Sequence, residues 1–172
     1  MPTTISLTGA EPVDKAAVKL AARVDTDALD DMIDSLITSA REQAEHLTGR
    51  TYRPQVLREE LADWPAATDA IAVCQATACA VSYWTGSAWS APLNGSAYVF
   101  AAGGIGSNGT VLAPATGTNW PTLGARPVGP RVRIDLTAGP AAPADVPARV
   151  KLFVTASVAA WLATPEAQRV GQ

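Results

Sequence analysis

Arg131-Val132-Arg133-Ile134-Asp135-Leu136-Thr137 alternates polar and apolar residues without a break. Successive side chains of a strand point to opposite faces, so this stretch reads as a strand buried on one face and wetted on the other. Ala138-Gly139-Pro140 ends it, and Pro143 keeps the chain irregular a little longer. From Val146 the period changes to that of a helix: Val150, Phe153, Val154, Ser157, Val158 and Trp161 share one face, Pro147 suits the first turn, and Pro165 stops the run. A half-buried strand followed by an apolar helix at 146–163 sets the class as α+β.

The N-terminal side supplies a helical pair. Val13, Ala16, Ala17 and Leu20 fall at i, i+3, i+4 and i+7, which predicts a helix over 13–22. A longer one is expected over 26–48. Asp25 or Thr26 is placed to cap it, Asp27, Asp30, Asp31 and Asp34 crowd its positive end, and Gly49 stands where a left-handed cap belongs. Its apolar face carries Leu29, Ile33, Leu36, Ala40, Ala44 and Leu47.

Between these helices and the last one, Gly, Pro, Ser, Thr and Asn punctuate short apolar runs at 55–61, 70–74, 80–84, 97–101 and 110–112. They read as strands joined by turns in one antiparallel β region over 52–139. Residues 113–130 hold four prolines and read as an irregular loop. The whole is expected to be one domain with a tail at 164–172, and only the two ends read as unstructured.

The 172 residues are 48 % apolar but only 17 % charged, against about a quarter charged in a free-standing domain. Sparse charge leaves apolar surface that partners must cover. The final helix shows this most sharply: behind its core face lie Leu152, Thr155, Ala156, Ala159, Leu162 and Ala163, and no charge appears between Lys151 and Glu166. A helix apolar nearly all round is buried nearly all round, as a central core helix or with a neighbouring subunit on its second face.

The net charge is −3 and no Lys/Arg run occurs, so tight wrapping of nucleic acid is not expected. The opening Met1-Pro2-Thr3-Thr4-Ile5 has no basic segment before an apolar core, so no signal peptide is expected, and Leu152–Ala163 is too short to cross a bilayer.

Catalytic chemistry finds little footing. His46 is the single histidine, and nothing in the sequence sets Cys74, Cys79 or a serine beside it. One His and two Cys form no zinc set, and the Asp27–Asp34 group lacks the glycine and terminal Glu of a calcium loop. Gly104-Ile105-Gly106-Ser107-Asn108-Gly109 has the spacing of a dinucleotide loop, but a strand-like run follows it instead of a helix, so a hairpin tip is the better reading. No enzyme activity, metal or cofactor is expected. Of the five tryptophans, Trp89 and Trp120 sit in loop-like sequence and are candidates for contacts, including stacking on a sugar.

The order of the pieces carries a resemblance. A short helix ends in Leu20-Ala21-Ala22-Arg23-Val24-Asp25, and a long one with an acidic start ends in His46-Leu47-Thr48-Gly49-Arg50. A β region including Val81-Ser82-Tyr83-Trp84 leads to Leu136-Thr137-Ala138-Gly139, and Val146-Pro147 opens a helix containing Trp161. Over residues 13–163 this resembles the head–tail connector (adaptor) family of long-tailed phages and gene transfer agents, with a long insertion around 86–130. The resemblance implies a structural virion protein in a ring of about twelve copies, each with two different complementary patches. The ring would lie in the neck of a particle made in a bacterial cytoplasm. It would join the portal protein to a tail-side connector or stopper and continue the channel for genomic DNA, bound without sequence specificity. About twelve copies would carry a mildly anionic charge on the order of −36, which discourages DNA from adhering. Candidate subunit or partner contacts are Trp161, Leu162, Leu152, Trp89, Trp120, Asp30, Asp34, Arg41, Arg169 and Val170. The competing expectation is a non-enzymatic sugar- or protein-binding β-rich module.

Overall fold

A computed structural model describes residues 2–73, 75–103 and 109–163. Among these residues, seven strands and three α-helices follow in chain order: β1 (Thr3–Leu7), α1 (Lys15–Ala22), α2 (Asp30–Thr48), β2 (Gln55–Leu61), β3 (Ala70–Ile71), β4 (Ala78–Tyr83), β5 (Tyr98–Ala101), β6 (Thr110–Pro114), β7 (Val132–Ala138) and α3 (Ala148–Ala163). The class is α+β, with helices near the start and at the end and antiparallel sheets between. The elements group into two compact units: the strands with residues 2–8 and 54–139, and the helices with residues 9–53 and 140–163.

In the strand unit, β7 is the alternating segment and lies between β2 and β4 in a sheet ordered β1-β2-β7-β4. Val132, Ile134, Leu136 and Ala138 are wholly buried on one face, and they meet Val81, Leu57, Leu61 and Cys79 in a single apolar cluster. The other face carries ion pairs between residues directly opposite each other. Arg58 grips Asp135 through two bonds of 2.7 and 2.8 Å, and Arg133 reaches Glu60 at 2.7 Å. Such half-exposed pairs contribute little energy each but fix the register of β2 on β7. A second sheet, β3-β6-β5, adds Ile71, Tyr98 and Leu112 to the same cluster. The Tyr98 hydroxyl donates to the Cys79 carbonyl at 2.6 Å, and the buried Thr110 hydroxyl donates to that of Val73 at 2.7 Å.

β1 corrects one expectation, since the N-terminal end forms an edge strand on β2. A register shift between Thr4 and Ser6 interrupts its pairing. The proline-rich segment expected to be irregular over 113–130 begins inside β6, which runs to Pro114; from 115 it is irregular, yet it is tied down. Gly124 donates its N–H to the Trp84 carbonyl at 2.8 Å, and a side chain there would put Cβ 2.0 Å from the Gly86 nitrogen. Gly124→Ala must therefore push the loop off the 84–86 turn. We expect a loss of about 1–3 kcal/mol, the usual cost of overpacking, measured by urea denaturation.

In the helical unit, Asp14 caps α1 by accepting from the Ala17 N–H at 2.6 Å, and Arg23 closes it in the left-handed region. α2 starts at Asp30 rather than at residue 26. Thr26 spends its hydroxyl on the Ala28 N–H in a local turn, and Leu29, with no side-chain cap to offer, stands at the N-terminus instead. Gly49 closes the helix with φ 64°, as its position predicts. Ile33, Ile37 and Ala40 of α2 pack with Val18 of α1 and with Val154 and Val158 of α3. α3 begins at Ala148, just after Pro147, whose carbonyl accepts from Val150 and Lys151. Among the described residues, no helix is long and apolar enough to cross a membrane.

Candidate functional site

Arg41 sits in α2 with 2 % of its surface exposed. Its Nε lies 3.0 Å from Glu11 and its Nη1 2.5 Å from Glu45. Glu11 also holds Arg53 at 2.7 Å, while Glu45 accepts the Tyr52 N–H at 2.7 Å. Arg53 in turn donates to the Gly9 carbonyl through Nε and Nη2. The network stitches the segments entering and leaving the α1–α2 pair onto α2. Burial raises the Glu45 carboxyl above the usual range, against the lowering pull of the Tyr52 N–H and Arg41. This corrects the reading of Arg41 as a surface contact: its guanidinium is enclosed and fully engaged within its own chain.

Asp30 and Asp34 are also engaged internally. Lys19 bonds Asp30 at 2.9 Å and Asp27 at 2.6 Å, and Lys15 bonds Asp34 at 2.7 Å and Asp30 at 3.5 Å, which clips α1 to the start of α2. Asp34 keeps 55 % of its side chain open to solvent. The Lys19 hydrogen bond holds the Asp30 carboxyl below its ordinary value, and hydrogen bonds to Asp34 and Asp27 hold Lys15 and Lys19 above theirs. A carboxyl depressed by folding adds stability above its unfolded pKa and loses it as pH falls through the folded one. The lysines are the converse: they contribute fully below their unfolded pKa and lose this as pH rises through the folded one. We therefore expect the α1–α2 clip to hold between about pH 5 and 9 and to loosen below about pH 4 and above about pH 10.5. Amide exchange across α1, followed against pH, checks this.

α3 buries Val150, Val154 and Val158, one residue per turn. Phe153, Trp161 and Leu162 are partly buried against the same clusters. Leu152, on the opposite side, is 69 % exposed, and Ala156 and Ala163 are exposed with it. Leu20 of α1 stands out at 83 %. Of the apolar contacts expected on α3, Leu152 is the open one, and Trp161 and Leu162 are half given to the core. Beside these helices lies an open groove of about 790 Å³ lined by Glu11, Lys15, Asp34, Arg53 and Lys151, whose carboxylates and cations largely pair with one another.

The tryptophans expected in loops turn out to anchor them. Trp120 stacks on Trp64 with centroids 4.5 Å apart and planes 6° from parallel, and Trp64 donates its Nε1–H to the Pro121 carbonyl at 2.9 Å. Trp89 forms a β-bridge with Trp84 and meets it edge-on at 5.8 Å. Arg133 lies 3.8 Å over the Trp89 ring, and Arg126 lies 4.7 Å from Trp84 and 5.3 Å from Trp89. Trp89 and Trp120 thus belong to two separate aromatic pairs, and one face of each ring is taken by the chain itself. The part of Arg126 in this cluster was not visible in the sequence, where nothing marks a loop arginine as a partner of Trp84.

His46 is exposed in the last turn of α2. Burial, with a further push from Asp135, raises the Cys79 thiol to about 12, so it stays protonated and poorly nucleophilic at neutral pH. Among the described residues, no group of His, Cys, Asp and Glu is arranged to hold a metal ion. Cys74, the 104–108 part of the glycine-rich stretch, Arg169 and Val170 lie outside the described residues.

Among the described residues, the features left open by these internal engagements include the apolar strip on α3 and the outer edges of β1 and β5. Exposed apolar side chains and free strand edges are features that protein contacts commonly cover. No protein-family model and no curated protein sequence matches the chain. Solved structures do match its fold. A chain from the neck of an empty gene transfer agent particle, computed with C6 symmetry, superposes with a TM-score of 0.73 at 18 % identity, over 94 % of this chain and 83 % of that one. A chain from the virion of a native gene transfer agent gives the same values. A chain from the neck of a native particle, computed with C12 symmetry, gives 0.65 at 19 % identity, over 94 % and 82 %. The fold is that of a gene-transfer-agent neck chain, in agreement with the resemblance read from the order of helices and strands.

Proposed function

We propose that this chain is a structural neck protein of a phage-like particle, working as a closed ring of copies between the portal protein and a tail-side connector. The observation that carries the reading is the agreement of fold over 94 % of the chain with neck chains of particles analysed in C6 and C12 symmetry. The surface chemistry supports it. The exposed apolar strip of Leu152, Ala156 and Ala163, in a chain with few charges, is a face for a protein neighbour rather than for a small polar substrate. Asp34 and Leu152 remain candidates for that contact, as do Arg169 and Val170 for contact with the portal. In this role the channel carries genomic DNA past a ring with a net charge of −3 per copy, without sequence-specific binding.

The test is direct. Particles made by cells carrying this gene, imaged by electron microscopy, should show the chain as a ring at the neck, and the purified protein at high concentration should give ring-sized species by native mass spectrometry. A protein that stays solitary at every concentration and is missing from particle necks removes the proposal.

A further inference from the structure

The sheet edges suggest how neighbouring copies join, on the reading that copies form a ring. β4 ends the first sheet, but its outer side is sealed. Leu93 donates its N–H to the Val81 carbonyl at 2.8 Å, Ser90 to Tyr83 at 2.8 Å, and the Tyr98 hydroxyl takes the Cys79 carbonyl. β3, at one end of the second sheet, spans only two residues. That leaves β1 and β5, each paired on one side alone among the described residues.

Their backbones are aligned to accept a strand. Thr8 donates its N–H to the Pro54 carbonyl at 2.9 Å, so the alternation of an antiparallel ladder turns the N–H and C=O of Leu7 outward. On β5, the bond of 3.0 Å from Ala115 N–H to the Ala97 carbonyl sets the phase, which turns the backbone groups of Tyr98 and Phe100 outward. Natural edges are normally guarded by charge, yet residues 2–10 carry none. Among described strand residues, the large apolar side chains left exposed are Ile5 (45 %), Leu7 (41 %) and Val99 (57 %), all on these two edges.

The edges also differ from each other, as a ring requires. Pairing β1 with another β1 gives a two-fold contact that stops at a dimer, whereas pairing two different edges leaves one free at each end to continue. We propose that β1 of one copy adds to β5 of the next copy, joining the first sheet of one subunit to the second sheet of its neighbour and covering Ile5, Leu7 and Val99.

Leu7→Pro tests this cleanly, since it deletes an outward N–H and leaves the Thr8–Pro54 bond in place; Val99→Lys places a charge on the facing edge and disturbs no buried group. The parent and both variants are compared by native mass spectrometry over a concentration series, with thermal melting as the check on folding. The expected result is a parent that closes into rings, and variants that melt like it but need at least about tenfold more protein to assemble. If Leu7→Pro fails to fold, Val99→Lys alone decides. Folded variants that close rings at the parent's concentration overturn the strand pairing and leave the ring standing. A parent that never assembles and is absent from particle necks sinks the ring reading, and the strand pairing with it.

Discussion

Replacing Arg41 by Ala is expected to destabilise the helical unit by about 3–5 kcal/mol, the range for removing one partner of a buried ion network. The guanidinium is 2 % exposed and answers both Glu11 and Glu45. Without it, Glu45 stays enclosed with a negative charge already disfavoured by burial. Domains of this size are stable by only about 5–15 kcal/mol, so a large share of the total is at stake. The cost comes from the orphaned carboxylate more than from the lost attraction. It follows that Arg41→Met combined with Glu45→Gln should recover much of the stability lost in Arg41→Met alone. The Gln carbonyl can still accept the Tyr52 N–H, and no uncompensated charge remains. Chemical denaturation of the three variants, read by far-UV circular dichroism, checks the ordering. A double variant no better than the single one would mean that packing around the Arg41 stem, not charge, sets the cost.

Leu136→Ala should weaken the strand unit comparably, by about 2–5 kcal/mol. Leu136 is wholly buried on the central strand β7, opposite Leu57 on one side and Cys79 on the other, so the cavity is walled by two neighbouring strands and cannot collapse easily. The same truncation at Leu152 should change stability by no more than about 0.5 kcal/mol, because that side chain is 69 % exposed. Urea midpoints distinguish the two. The contrast extends to Phe153 and Trp161: both are only partly buried, so their truncation should cost less than the full aromatic range of about 3–5 kcal/mol.

What the sequence made legible was local. The alternation of Arg131–Thr137 is β7, and the spacing of Ile33, Ala40 and Ala44 is the buried stripe of α2. Gly49 falls where its backbone preference places it, while the helix expected from 146 starts at Ala148, directly after Pro147. What escaped was set by distant partners. Thr3–Leu7 is too short to announce a strand without β2 beside it, some fifty residues later. Arg41 looks like any surface residue of an amphipathic helix until Glu11 is brought alongside, thirty positions upstream. Trp120 reads as a loop residue offered to a partner because nothing nearby reveals Trp64, which it stacks upon. The open strip on α3 was legible, since a helix without charge beyond Lys151 shows its second face in composition alone.

The helical unit is interrupted in the chain by residues 54–139, most of the strand unit, and α3 returns to finish it. During synthesis α1 and α2 therefore emerge with Val18, Ile33 and Ile37 uncovered, and the valines that cover them leave the ribosome only after β7. A nascent chain in this condition depends on late, non-local closure, which slows folding and prolongs the window in which a chaperone is useful. It also sets a natural order of events: the apolar face shared by Val18, Ile33 and Ile37 is closed only once Val154 and Val158 have been made, so a chain cut short before α3 leaves that core open.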